Sequence, residues 1–160
     1  MSTKLNANTA ENRLIELGIE LPQLQGPVAC YVEAVLDNGL LYLSGKGPLK
    51  PDGTRRTGKV DSEVSIQQAQ EDAYQAGLNL LSVIRRELGS LDRVERIVKV
   101  LALVNADPEF MHHPRVIDGF SQLMVDVFGE SGRHARSAMG AGSLPNNMSV
   151  EIEMIVRVKP

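Results

Sequence analysis

Residues 62–104, SEVSIQQAQEDAYQAGLNLLSVIRRELGSLDRVERIVKVLALV, read as a long helix followed by an apolar strand. Ile66, Ala69, Ala73, Ala76, Gly77, Leu80, Ile84 and Leu88 recur at steps of three and four, which lines one face of a helix spanning Ser62–Leu88. Gly89 follows where a left-handed cap is wanted. The small side chains of Ala69, Ala73, Ala76 and Gly77 suggest close packing of this helix on a sheet. Val94–Val104 is mostly apolar and is expected to be a strand buried on both faces. Upstream, Ala29–Val35 and Leu40–Ser44 flank Asp37-Asn38-Gly39, and Asn-Gly is a strong short-range hairpin signal because both residues tolerate positive φ. Gly45–Val60, rich in Gly, Pro and basic residues, reads as a long loop with room for a short strand. Downstream, Pro114 can sit in a first helical turn. Val116, Ile117, Phe120, Leu123, Met124 and Val127 carry that second helix to Gly129. His134–Met139 reads as strand. Val150–Val158 alternates apolar and mostly polar residues, a strand with one wet face. Near the start, Thr9-Ala10-Glu11-Asn12 caps a short helix stopped by Gly18. The order hairpin, helix, strand, helix, strand, strand implies an α+β domain over residues 26–160, with residues 1–25 as an extension carrying the short helix.

Composition narrows the function classes. At 160 residues the chain can bury an adequate core without disulfide staples. Seventeen Lys+Arg against twenty Asp+Glu give a net charge of −3, a poor footprint for nucleic acid, whose affinity comes largely from basic surface. One cysteine, Cys30, excludes an internal disulfide and a cysteine-rich zinc site; in its apolar run it is expected to be a small buried hydrophobe. No apolar run approaches the roughly 20 residues that span a bilayer. The first residues lack the apolar stretch of a signal peptide, so a soluble cytoplasmic protein is expected.

Several motifs fail on their own chemistry. Gly45-Lys46-Gly47 is followed by Lys50 where a dinucleotide fingerprint needs a third glycine, and Gly58-Lys59-Val60 lacks the hydroxyl of a phosphate loop. His112, His113 and His134 include no i, i+4 pair, so no metal is expected, and His112 and His113 read as a solvated loop edge. Ser137 near His134 invites a catalytic pairing, but no third partner is evident. Arg55, Arg56 and Lys59 form a basic cluster that reads as a solvated loop rather than an anion site.

The C-terminal part is more informative. Arg136, flanked by Ala135, Ser137 and Ala138, can present its planar fork to a carboxylate through two parallel hydrogen bonds. Glu151 and Glu153 share the strand face opposite Val150 and Ile152. Taken alone, these residues fit a charged sheet edge as well as a binding crevice.

Arg136-Ser137, then Leu144-Pro145, then Val150-Glu151-Ile152-Glu153 closely resembles the C-terminal signature of the Rid/YjgF family, the reactive-intermediate (enamine/imine) deaminases. Ser44-Gly45 with Pro48, Gly89-Ser90-Leu91-Asp92-Arg93-Val94 and Phe110 support the match, which runs from about Gly26 to Val158. The leading helix, Gly119 and Phe128–His134 resemble a longer subgroup. The resemblance implies a chorismate-mutase-like α+β fold, a mixed sheet with two helices packed on one face, and a homotrimer with a ligand cleft at each subunit boundary. It further implies that Arg136 clamps a substrate carboxylate with help from the Ala138 backbone N–H. By the same resemblance Glu151 positions and activates water, while the Gly45 backbone, Tyr31 and Ser121 line the cleft. The implied reaction is hydrolysis of 2-imino acids to 2-keto acids and ammonia, without cofactor or metal, nucleic acid or membrane. The family's cysteine two residues after the arginine is Ala138 here, so only a backbone role can survive at that position. The alternatives are a non-catalytic trimeric sensor of small carboxylates such as 2-keto acids, and a ribonuclease, against which the acidic balance and few aromatics weigh.

Overall fold

Asn38 and Gly39 take positive φ values of 48° and 76°, and the turn they make joins β1 (Ala34–Asp37) to β2 (Leu40–Lys46) as an antiparallel hairpin. This is the first corner of a computed structural model that describes residues 8–27 and 29–160. The remaining elements are α1 (Ala10–Glu16), α2 (Ile66–Leu88), β3 (Val94–Asn105), α3 (His113–Phe128), β4 (Ala135–Ala141) and β5 (Val150–Val158). The five strands form one mixed sheet in the order β1-β2-β5-β3-β4, with β3 and β4 parallel and the other neighbours antiparallel. An α+β sheet with two long helices on one face agrees with the expected architecture.

Both helices cover the same side. Ala69, Ala73, Ala76, Leu80 and Ile84 of α2, with Ile117, Phe120 and Met124 of α3, are fully buried in one core with Val100, Ala102, Ile152 and Val156 of the sheet. A Cβ at Gly119 of α3 would overlap the backbone carbonyl of Gln70 in α2, so glycine is what lets the two helices approach this closely. Outside them, Glu11 of α1 accepts hydrogen bonds from Arg85 (Nε, 3.1 Å; Nη2, 2.5 Å) and from the Leu91 backbone N–H (2.8 Å).

Six readings are corrected. The long helix begins at Ile66 rather than Ser62, because Ser65 and Gln68 close a reciprocal capping box. The first strand starts at Ala34 rather than Ala29, and Cys30, lying before it, is exposed rather than buried. β4 runs two residues past Met139, to Ala141. β3 is fully buried on one face only, since the helices leave the other uncovered: Val100, Ala102 and Val104 are inaccessible while Lys99, Leu101 and Leu103 are partly exposed. His113 is not a loop-edge side chain: its ring packs edge-on to Phe110 (5.0 Å between centroids) as α3 begins.

The uncovered face is apolar in places. Register places Val35, Tyr42, Ile155 and Lys99 in one row across β1, β2, β5 and β3, and Glu151, Leu103 and Met139 in another across β5, β3 and β4. Val35, Tyr42 and Met139 are 52%, 43% and 48% exposed, an unusual cost for large side chains that a chain meets by burying them against another surface.

Candidate functional site

The residues singled out from sequence fall into two separate hollows. The first, of about 650 Å³, opens beyond the end of β2 and is lined by Tyr31, Glu33, Gly45, Lys46, Met148 and Glu151 among others. Of its two carboxylates, Glu33 and Glu151, the second stands at the start of β5. The β2–β5 register slips between Leu43 and Lys46, and this irregularity brings the Gly45 backbone against the Glu151 side chain. A Cβ on Gly45 would lie 2.5 Å from Glu151 Oε1 and 3.1 Å from its Cδ. Partial burial, with a smaller push from Glu153, raises the Glu151 pKa above its ordinary 4.5. A half-buried carboxylate of raised proton affinity is suited to taking a proton from water.

The floor of this hollow is held rigid. Glu33 is buried yet stays ionised: burial raises its pKa, but hydrogen bonds from Lys46 and Arg86 outweigh that and hold it below the ordinary carboxylate value. Asn79, buried in α2, donates to the carbonyls of Gly47 and Leu49, each at 2.9 Å, and so fixes the loop after β2. Of the basic loop residues, Arg56 is paired with Asp72 (3.2 Å) and Glu71 (3.1 Å) and Lys59 donates to the Gly142 carbonyl, whereas Arg55 lines the hollow.

The second hollow, about 430 Å³, lies between α3 and the edge strand β4, with Asp118, Ser121, His134 and Arg136 in its wall. Arg136 stands opposite Val100 on β3, on the helix-covered face, and its Nη1 donates to Asp118 Oδ1 (2.9 Å) and Ser121 Oγ (3.1 Å). Among the described residues neither Nε nor Nη2 of Arg136 has a hydrogen-bond partner. Those two donors share one edge of the guanidinium, the edge that binds a carboxylate side-on. Ala138 follows two residues along the same face of β4.

Glu151 stands opposite Leu103, on the uncovered face. Arg136 and Glu151 therefore lie on opposite faces of the sheet, two strands and roughly 10 Å of strand length apart. Within one chain they share no hollow. Sequence reasoning paired them because both belong to one signature, but their face parity is set by two separate strands. It also missed the partner of His134: Ser137 points to the uncovered face and accepts from Lys99 (2.9 Å), while His134 Nε2 meets Ser121 Oγ at 3.0 Å. Among the described residues no group of three or more His, Cys, Asp or Glu side chains is gathered to hold a metal. None of their helices is long and apolar enough to cross a membrane.

The chain is similar to known proteins in sequence and fold. Residues 11–156 match the family model described as "YjgF/chorismate mutase-like, putative endoribonuclease". Protein TCP17 of Trypanosoma cruzi is 36% identical over 159 residues, 99% of each chain. The crystal structure of Atu1372 from Agrobacterium tumefaciens, a protein of unknown function, is 39% identical with a TM-score of 0.86, covering 95% of this chain and 93% of that one. A crystal structure described as a "putative endoribonuclease" from Shewanella oneidensis is 26% identical with a TM-score of 0.89, covering 94% of this chain and all of that one.

Proposed function

The chain belongs to the YjgF/chorismate mutase-like family, and from that premise we propose that it hydrolyses reactive 2-imino acids to 2-keto acids and ammonia in clefts between protomers of a homotrimer. One observation carries the reading: Glu151, its proton affinity raised by burial, is seated against Gly45 in a hollow large enough for a small organic acid. The partly apolar uncovered face, with Tyr42 and Met139 exposed, supports association through the side on which Glu151 stands. Association also offers the one route by which an Arg136 and a Glu151 can address the same substrate, each from a different protomer.

The chemistry needs only positioning and one base. The free Nε–Nη2 edge of Arg136 holds the substrate carboxylate, assisted by the Ala138 backbone N–H; the Gly45 backbone, Tyr31 and Ser121 border the ligand. Glu151 accepts a proton from water as the water oxygen bonds to the imine carbon and the C=N π pair moves to nitrogen. Nitrogen takes that proton back from Glu151 to give the carbinolamine. Its hydroxyl proton then passes through Glu151 to nitrogen as the C–N pair leaves with ammonia, and the O–H pair becomes the π bond of the 2-keto acid carbonyl. No electrons are exchanged with an outside partner. Intramolecular-like placement of water and imine supplies most of the rate.

The test is ammonia release from 2-aminoacrylate or a related imine generated in situ by a second enzyme. Wild type should accelerate release, Arg136→Ala should abolish the gain, and Glu151→Gln should lower turnover while 2-keto acid binding persists. Wild type that binds 2-keto acids but leaves imine decay unchanged would favour a carboxylate sensor. Both variants matching an active wild type would overturn the assignment.

A further inference from the structure

Arg136 is held by more than its ion pair with Asp118. His134 Nδ1 lies 2.7 Å from the Gly132 carbonyl oxygen, which can only accept, so Nδ1 carries the ring hydrogen. Burial, together with the nearby positive charge of Arg136, keeps the His134 pKa below its ordinary 6.5, so at neutral pH the ring is uncharged and Nε2 is a bare acceptor. The Ser121 hydroxyl at 3.0 Å must then donate to Nε2, leaving its oxygen lone pairs for Arg136 Nη1–H at 3.1 Å. The edge of Phe120 packs on the imidazole at 5.9 Å between centroids and limits its tilt. The result is a one-way chain, with each member's donor fixed by the next member's acceptor. Nη1 spends its two hydrogens on Asp118 and Ser121, and that double anchorage is what turns the Nε–Nη2 edge outward.

We propose, resting on the reading that Arg136 clamps the substrate carboxylate, that His134 is a positioning residue that fixes the Arg136 guanidinium through Ser121. Ser121, though it borders the ligand, thereby acts on it through the clamp. Without the Nε2 acceptor the Ser121 hydroxyl rotates freely, and Arg136 is left on the single anchor of an exposed aspartate.

The experiment titrates 2-ketobutyrate and its methyl ester into wild type, His134→Met, His134→Gln, Ser121→Ala and the His134→Met/Ser121→Ala double variant, with thermal melts alongside. His134→Met should weaken 2-ketobutyrate roughly three- to tenfold, the worth of one net hydrogen bond, and leave the ester unchanged. His134→Gln, whose amide oxygen can stand where Nε2 stood, should restore the affinity. Ser121→Ala should match His134→Met, and the double variant should lose no more than either alone. Equal losses for acid and ester, additive losses in the double variant, or wild-type affinity in a folded His134→Met would each overturn the positioning role while the clamp itself stands. Failure of wild type to bind 2-ketobutyrate would instead overturn the clamp, and this inference with it.

Discussion

Gly45→Ala is expected to silence turnover while leaving the fold standing. The added methyl would lie 2.5 Å from Glu151 Oε1, so the carboxylate must retreat by about 0.9 Å to reach the 3.4 Å of ordinary van der Waals contact. Gly45 is not among the residues at positive φ, so alanine can take up its backbone conformation without strain. The neighbour that must yield is the end of a flexible side chain facing a hollow rather than backbone or core. Loss of glycine's extra freedom in the unfolded chain returns about 0.4–1 kcal/mol, which offsets the displaced carboxylate. The melting temperature should therefore stay within about 4 °C of wild type. A displacement of nearly 1 Å at a reacting group costs on the order of a hundredfold in rate, about 2.7 kcal/mol in the barrier. The assay is kcat for ammonia release at saturating imine flux, with 2-keto acid affinity measured in parallel. Wild-type kcat in a folded Gly45→Ala protein would refute the role given to Glu151.

Other perturbations probe separate parts of the account. Arg136→Lys keeps the charge but loses the two-donor edge, and should weaken 2-keto acid binding by about 10- to 100-fold in calorimetric titrations. A base works when deprotonated, so kcat/KM should fall as pH drops through the Glu151 pKa, which lies above 4.5. Glu153→Gln removes one cause of that elevation, so the acid limb of the profile should move to lower pH. The same elevation means the charged Glu151 costs stability: the penalty is present above the folded-state pKa and disappears below the unfolded value. Glu151→Gln should accordingly melt higher than wild type at neutral pH and lose that advantage in acid, as followed by pH-dependent thermal unfolding. Gly119→Ala drives a methyl into the Gln70 backbone, which no rotamer change relieves, and should destabilise by about 1–3 kcal/mol in denaturant titrations.

Much of the fold could be read from periodicity and turn chemistry. Asn38-Gly39 marked the hairpin, the three- and four-residue steps from Ile66 marked α2, and alternation marked β5. The start of α2 differs from the periodicity although Ser65 and Gln68 spell a capping box; Glu63 and Val64 pair instead with Lys59 and Val60 of the preceding loop, and the Ser62 N–H donates to Asp107. β3 misled for a deeper reason. Its continuous apolar run resembles a strand covered on both sides, yet the chain's own helices cover only one, and a single strand's sequence carries no mark of which face they will cover. The site was legible as residue types and illegible as geometry. Arg136 and Glu151 sit on opposite faces because β4 and β5 each set their own parity against β3. Ser121 and His134 lie thirteen residues apart on a helix and just before a strand, so their contact depends on how α3 packs on the sheet.

The central claim is that catalysis joins Arg136 of one protomer to Glu151 of the next, and subunit mixing tests it most directly. Arg136→Ala protein, inactive alone, and Glu151→Gln protein, of lowered turnover, should be unfolded together, refolded at equal concentrations and assayed for ammonia release. In a randomly mixed ring about a quarter of the boundaries pair an intact arginine with an intact glutamate, so about a quarter of wild-type activity should return. Verified mixed assemblies with no activity above either parent would contradict a shared site.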